Sequence, residues 1–176
     1  MEIIMAETLT TLKTRRSCRA YKPGHVEEEK INAIVEAGTY AATGMGKQSP
    51  IILVVKDQEV RDQLSKLNAA AMGVDFDPFY GAPDVVVVLA NKDIPTYIYD
   101  GSLVMGNMMN AAQDLGVASC WIHRAKEEFE SEEGKAILKK HGIEGSYEGI
   151  GNLVLGYAAK PAGDPAPRKA DYVYHI

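Results

Sequence analysis

Cysteine is scarce in this sequence, because Cys18 and Cys120 are the only two among 176 residues. Neither belongs to a CxxC pair, and no Cys/His cluster has the spacing of metal ligands, so we predict neither a disulfide framework nor a metal site. No run approaches the roughly 20 apolar residues of a membrane-spanning helix, and the first twenty residues do not resemble a signal peptide. These absences favour a cytoplasmic protein with no membrane partner.

An excess of positive charge is also missing. The formal net charge is −5 and the isoelectric point is near 5.4, which argues against a general nucleic-acid binder, since such a protein presents a basic face. At 176 residues and 46% hydrophobic content, the chain is long enough for one domain with its own core. We therefore expect residues 1–176 to form a single domain.

The basic charge that is present is concentrated in the run Arg15-Arg16-Ser17-Cys18-Arg19. Three guanidinium groups repel one another, and arginine suits phosphate because its planar fork donates two parallel charge-assisted hydrogen bonds. The alternative is a helix end, where basic side chains are favoured by the dipole and by unpaired carbonyls. The number of arginines favours a phosphate site, and we expect Cys18 to be inert once phosphate covers it.

Hydrophobic periodicity predicts alternating helices and strands. Two apolar runs of strand length are expected to be buried on both faces, and the helix that begins at Asp100 is apolar nearly all round, which is typical of a central helix. The predicted helices cover residues 3–16, 27–42, 57–72, 100–115 and 126–140, and the predicted strands cover 51–55, 85–90, 117–122 and 150–157.

A proline-rich tail follows from residue 158 to residue 176. Its last segment, 172–176, is predicted to be a strand from its aromatic and β-branched content. Such an arm can extend beyond its own domain and add a strand to another sheet. Pairing with the edge of its own sheet is the alternative, and periodicity does not separate the two.

Several segments together resemble the FMN-dependent nitroreductase family in its short form. Residues 15–21 resemble its phosphate-binding signature, residues 42–50 its small-residue loop, and residues 115–122 its strand beside the flavin. Residues 151–156 and 167–169 are similar to its closing strand and second phosphate contact. The segments occur in the family's order over almost the whole chain, although the loop lacks the family's asparagine.

The resemblance implies an α+β fold with a mixed, mainly antiparallel central sheet flanked by helices, whose C-terminal arm adds a strand to the partner subunit. It also implies a homodimer with FMN bound non-covalently at the interface. Hydride would pass from NADH or NADPH through the flavin to a nitroaromatic, quinone or similar planar acceptor in a ping-pong cycle. The alternatives are a non-catalytic flavin-binding or sensing protein, or a specialised reductive dehalogenase-like or flavin-consuming enzyme.

The resemblance also implies which residues hold the cofactor. The loop from Ala42 to Gln48 would come from the partner subunit, and His123 would be a candidate proton donor, with a surface histidine as the alternative. An aromatic segment, residues 76–83, would either gate the substrate or pack against a strand. The full set of implied cofactor contacts is Arg15, Arg16, Ser17, Arg19, Ala42, Thr43, Gly44, Met45, Gln48, Asp100, Trp121, Ile122, His123, Arg168 and Lys169.

Overall fold

The structure is a computed structural model that describes residues 7–176, so the start of the predicted first helix lies outside the described residues. The helices are α1 (Glu7–Thr14), α2 (Glu28–Thr39), α3 (Gln58–Met72), α4 (Tyr97–Asp114), α5 (Ala125–Glu130) and α6 (Glu132–Lys140). The strands are β1 (Pro50–Val55), β2 (Asp84–Asn91), β3 (Ala118–Ile122) and β4 (Tyr147–Gly156). In the described part of the chain, no helix has the length and apolar character needed to cross a membrane.

The four strands form one sheet in the order β1-β2-β4-β3, and each neighbouring pair is antiparallel. The predicted α+β fold with a mainly antiparallel sheet is confirmed. Strand β2 is buried along almost its whole length, as its run of valines predicts, but β1 is only half-buried. The prediction that β1 is buried on both faces is wrong, because β1 is an outer strand with a neighbour on one side only.

Two apolar layers lie on opposite faces of the sheet. Successive side chains of a strand point to opposite faces, so Val86 and Val88 of β2 pack with α2 and α4, while Val85 and Val87 pack on the other side against residues of α3 and α5. A continuous apolar run is therefore what a central strand covered on both faces requires.

Helix α4 buries one side only. Val104, Met105 and Met108 enter the core, but Tyr99 and Leu103 are exposed on the same helix. The prediction of a helix covered nearly all round is therefore wrong for a single chain. An apolar face is left open to solvent.

The predicted helix over residues 126–140 is two helices, α5 and α6. The chain turns at Ser131, whose hydroxyl accepts a hydrogen bond from the N–H of Gly134 and begins α6. A Cβ at Gly134 would collide with the carbonyl of Glu128, so glycine permits the two helices to pack end to side.

The tail forms no helix or strand beyond the single bridge at Ala158, and residues 159–176 are exposed. The alternative in which residues 172–176 pair with their own sheet is therefore wrong in the described chain. Pairing of this segment with a partner subunit stays a prediction.

The sequence patterns do not predict a buried polar cluster around Glu128, which is 1% exposed. Its Oε1 accepts hydrogen bonds from the side-chain amides of Asn68 and Asn152, while Oε2 is buried without a donor in the described residues. Burial raises the pKa of Glu128 to about 8, and the two amide donors only partly offset this effect. The carboxyl group is therefore held as a neutral acid at neutral pH.

Replacing Glu128 with glutamine is predicted to remove a pH dependence of stability. The pKa in the folded chain, about 8, lies above the ordinary value of 4.5, so the wild-type free energy of unfolding falls as the pH rises from about 4.5 to about 8. The total loss is at most about 5 kcal/mol. Glu128→Gln keeps the acceptor oxygen and cannot ionise, so urea unfolding should give it a flatter pH profile.

The control is Glu133→Gln, which removes an exposed carboxylate from α6 and should keep the wild-type profile. Parallel pH profiles for the wild type and Glu128→Gln would contradict a neutral buried acid.

Candidate functional site

A cavity of about 410 Å³ lies where the N-terminal segment, the turn before β3 and the start of the tail come together. Its basic residues are Arg16 and Arg19 from the N-terminal segment and Lys160 from the tail. The remaining lining residues are mostly small or apolar: Ser17, Cys18, Ala20, Gln113, Gly116, Val117, Ala118, Ala158, Pro161, Ala162 and Gly163.

Backbone pairing brings these segments together. Ser17 forms a parallel bridge with Ser119 of β3, and Tyr21 forms an antiparallel bridge with Ala158. The N–H of Lys22 donates to the carbonyl of Tyr157 at 2.7 Å, which extends the second pairing. Residues 17–22 therefore meet the residues that follow β4 at one place.

Two guanidinium nitrogens in this region lack an acceptor. Nη1 of Arg15 and Nε of Arg16 are buried and have no hydrogen-bond partner within residues 7–176. Nη1 of Arg16 donates to the carbonyls of Lys13 and Arg15 at 2.8 and 2.7 Å. Leaving a buried charged donor unpaired is costly, and Arg16 lines the cavity while Arg15 directly precedes it in the chain, so an anion bound beside Arg16 fits this site.

The helix-end interpretation is also partly correct. Nη1 of Arg16 donates a hydrogen bond to the carbonyl of Lys13 in the last turn of α1, and this hydrogen bond fixes the guanidinium group of Arg16. The other nitrogen, Nε, is thereby left unpaired at the cavity. Ser17 and Arg19 are exposed beside it.

The predicted meeting of Arg16 with Arg168 is not present in the described chain. Nε and Nη2 of Arg168 both donate to the carbonyl of Ala166, and Nζ of Lys169 lies 5.5 Å from the ring centre of Tyr172. Three prolines, at positions 161, 165 and 167, restrict the backbone between the cavity and Arg168. Lys160, which the sequence analysis missed, is the basic residue that the tail contributes to the cavity.

The resemblance implies that Asp100 contacts the cofactor, whereas in the described chain Asp100 is hydrogen-bonded to the loop of its own chain. Its side chain is buried, Oδ1 accepts from the N–H of Gly44 at 2.9 Å, and Oδ2 accepts from the hydroxyls of Ser49 and Thr96 at 2.7 and 3.1 Å. Burial alone would raise the pKa of Asp100, but these hydrogen bonds lower it below its ordinary value. Asp100 therefore holds the loop that contains Gly44, and its carboxylate is not open to a ligand.

The tip of the loop from Ala42 to Gln48 is exposed, while Gly44 is held against its own chain. Met45 is 77% exposed with a φ of +54°, and Gln48 is exposed with a φ of +49°. Thr43 braces the loop by accepting the N–H of Gln48 at 3.1 Å. None of these residues lines the cavity around Arg16 in the described chain, so contact with a cofactor from the partner subunit stays a prediction.

The end of β3 lies outside the lining of the cavity. Trp121 is half-buried against the core, and a Cβ at Gly151 would collide with its indole nitrogen. Ile122 is buried, whereas the side chain of His123 is exposed. The carbonyl of His123 accepts from the side chain of Asn68 at 2.6 Å, so the network around Glu128 also holds this turn.

Residues 76–83 are anchored in the core at one position, while Phe76 and Tyr80 are exposed. Phe79 is fully buried, and the carboxylate of Asp77 binds Nη2 of Arg61 at 2.8 Å together with the backbone N–H groups of Phe79 and Gly81. The segment does not line the cavity around Arg16. Packing is shown for Phe79, and a gating role for the exposed aromatic side chains of this segment stays a prediction.

Comparison with known proteins gives the family. The family model described as the nitroreductase family matches residues 12–75. A relative from Archaeoglobus fulgidus, provisionally named NADH dehydrogenase/NAD(P)H nitroreductase, is 30% identical over 158 residues, which cover 87% of this chain and 86% of the relative. The chain belongs to the nitroreductase family.

Solved nitroreductases have the same fold. A nitroreductase from Bacteroides fragilis with bound FMN is similar with a TM-score of 0.87 and 28% identity, over 98% of this chain and all of the other. A nitroreductase from Desulfitobacterium hafniense, also with bound FMN, has the same TM-score at 26% identity, with the same coverage of both chains.

Proposed function

We propose that this nitroreductase-family chain is an FMN-dependent oxidoreductase that takes hydride from NADH or NADPH and passes it to a nitroaromatic, quinone or similar planar acceptor. The observation that carries the proposal is the pair of buried nitrogens, Nη1 of Arg15 and Nε of Arg16, which have no acceptor in the described chain. Arg16 lines the cavity formed by the N-terminal segment, the turn before β3 and the start of the tail, and Arg15 directly precedes Arg16 in the chain. A phosphate monoester supplies the acceptors that these donors lack.

The donor set fits the phosphate of FMN. Arg15 and Arg16 provide charge-assisted hydrogen bonds, and Arg19 and Lys160 add positive charge at the exposed rim. The turn before β3 offers the small and apolar residues Val117 and Ala118 to the non-polar part of a ligand. Two similar structures, both at more than 25% identity, contain FMN.

Bound flavin supplies the two-electron chemistry, because its ring accepts and releases a hydride. The chain contributes binding and orientation. Arg15 and Arg16 hold the phosphate, and Asp100 fixes the loop from Ala42 to Gln48. We assign to Arg168 and Lys169 a further phosphate contact once the arm leaves its position in the single chain. His123 is a candidate for holding a proton beside the ring.

The sequence contains no GxGxxG turn of a dinucleotide-binding fold, so reduced nicotinamide would bind transiently over the flavin. The nicotinamide and the acceptor substrate then bind in turn over the same face of the flavin ring, which gives a ping-pong cycle. The name of the Archaeoglobus fulgidus relative includes NAD(P)H nitroreductase activity and supports this choice of donor.

The functional unit is a homodimer. Ile98, Tyr99 and Leu103 leave an apolar face on α4, and the exposed tip of the loop at Met45 adds to the apolar surface. Strand β1 is an outer strand, whereas the outer side of β3 is already paired at Ser119. The free edge of β1 is thus the place where segment 172–176 of a second copy can add a strand.

Anaerobic mixing of the FMN-loaded protein with NADH or NADPH tests the reaction. We expect the oxidised flavin absorbance to disappear with at least one donor and to return when a nitroaromatic or a quinone is added, with the flavin recovered intact. No bleaching with either donor would indicate a non-catalytic flavin-binding protein. Net destruction of the flavin would indicate a flavin-consuming enzyme.

Arg16→Ala is predicted to weaken the preference for FMN over riboflavin, which lacks the phosphate. A hydrogen bond to a charged group contributes about 1.5 to 3 kcal/mol. The ratio of the Kd for riboflavin to the Kd for FMN should therefore fall by roughly 10-fold to 100-fold. Arg16→Lys retains the charge but not Nε, and it should give an intermediate ratio. Fluorescence titration of both flavins measures the ratio.

Lys92→Ala, which removes an exposed positive charge after β2, is the control and should leave the ratio unchanged. An unchanged ratio in Arg16→Ala would remove Arg16 from the phosphate site.

Leu103→Asp is predicted to shift the protein from dimer to monomer, because a carboxylate would be buried in an apolar interface. Leu103 is 50% exposed in the single chain. Phe76→Asp is the matched control, since Phe76 is 51% exposed and lies beside α3, on the face of the sheet opposite α4. Sedimentation velocity should show a monomer only for Leu103→Asp, and a dimer that persists there would contradict the interface.

A further inference from the structure

The only two cysteines of the chain are brought close together by the fold. The N–H of Cys18 donates to the carbonyl of Ser119 at 2.9 Å, and that carbonyl belongs to the peptide that leads into Cys120. The bridge between Ser17 and Ser119 is parallel, so each cysteine lies one residue beyond it. Standard peptide geometry then puts the two Cα atoms about 5 to 6 Å apart, which is within the range of disulfides.

The two thiols have different access to solvent. Cys18 is half-buried and lines the cavity between Arg16 and Arg19, while Cys120 is 2% exposed. Burial raises the pKa of Cys120, and Arg19 and Ser17 lower it in part. The charge of a Cys18 thiolate raises it further. Both are free in this structure.

We propose that Cys18 and Cys120 form a dithiol site that small disulfides oxidise through the cavity. The thiolate of Cys18 attacks one sulfur of the small disulfide, forms a mixed disulfide and releases one thiolate. The thiolate of Cys120 then attacks the sulfur of Cys18 and displaces the second small thiolate. Two protein thiols and one small disulfide thus become one protein disulfide and two small thiols.

The surroundings of Cys18 favour a small disulfide that carries negative charge. Arg16, Arg19 and Lys160 line the same cavity as Cys18, and a carboxylate-bearing disulfide is attracted to them. A phosphate group bound between the arginines would cover Cys18. This competition rests on the proposed phosphate site, whereas formation of the protein disulfide does not.

Oxidised glutathione, an anionic disulfide, is the probe. Oxidised glutathione is incubated with the FMN-loaded protein and, separately, with the protein after removal of the flavin. Both samples are analysed by intact mass and by non-reducing gel electrophoresis. We expect the flavin-free wild type to lose two hydrogen atoms in mass without retaining glutathione. Saturating FMN should slow formation of the disulfide between Cys18 and Cys120 at least tenfold.

Two variants identify the order of attack. Cys120→Ala should retain one glutathione, because Cys18 still forms the mixed disulfide and no second thiol displaces the glutathione from it. Cys18→Ala should stay unmodified under the same conditions, because Cys120 is buried. A wild type that stays reduced, retains glutathione or forms only disulfide-linked dimers would overturn the dithiol site. If the disulfide forms at equal rates with and without FMN, the cavity is not its entrance and the competition with phosphate is wrong.

Discussion

Nη1 of Arg15 and Nε of Arg16 are buried guanidinium nitrogens with no acceptor anywhere in residues 7–176, and most other features of the site depend on how this charge is satisfied. A charged N–H that gives up water without gaining a partner destabilises the folded chain. An anion with several oxygens removes that cost. The need for such an anion links the stability of the N-terminal segment to the binding of a phosphate-bearing cofactor.

The fold creates this constraint by pairing residues 17–22 with β3 and with the residues that follow β4. Ser17 is held against β3 and Tyr21 against Ala158, so Arg16 and Arg19, on either side of Ser17, lie beside the start of the tail. Strands β2 and β4, buried by helices on both faces, give these pairings a rigid base. The apolar face of α4 and the loop held by Asp100 remain on the outside, where a second copy would complete the site.

The sequence predicted the features that depend on local patterns. The valine run of β2 and the amphipathic α2 have short-range signals, and the structure forms both elements as expected. Properties that depend on neighbours in space were missed. Whether β1 is an inner or an outer strand is set by sheet order, and the contribution of Lys160 in place of Arg168 is set by where β4 ends. The carboxylates of Asp100 and Glu128 were misjudged or overlooked because their hydrogen-bond partners lie far away in the sequence.

A crystal structure of the protein with FMN tests the central claim most directly. The account predicts a dimer in which phosphate oxygens lie within about 3 Å of Nη1 of Arg15 and Nε of Arg16, at ordinary hydrogen-bond distance. The loop from Ala42 to Gln48 of the second copy would contact the same flavin. A flavin whose phosphate lies away from both arginines, or one bound entirely by a single chain, would contradict the account.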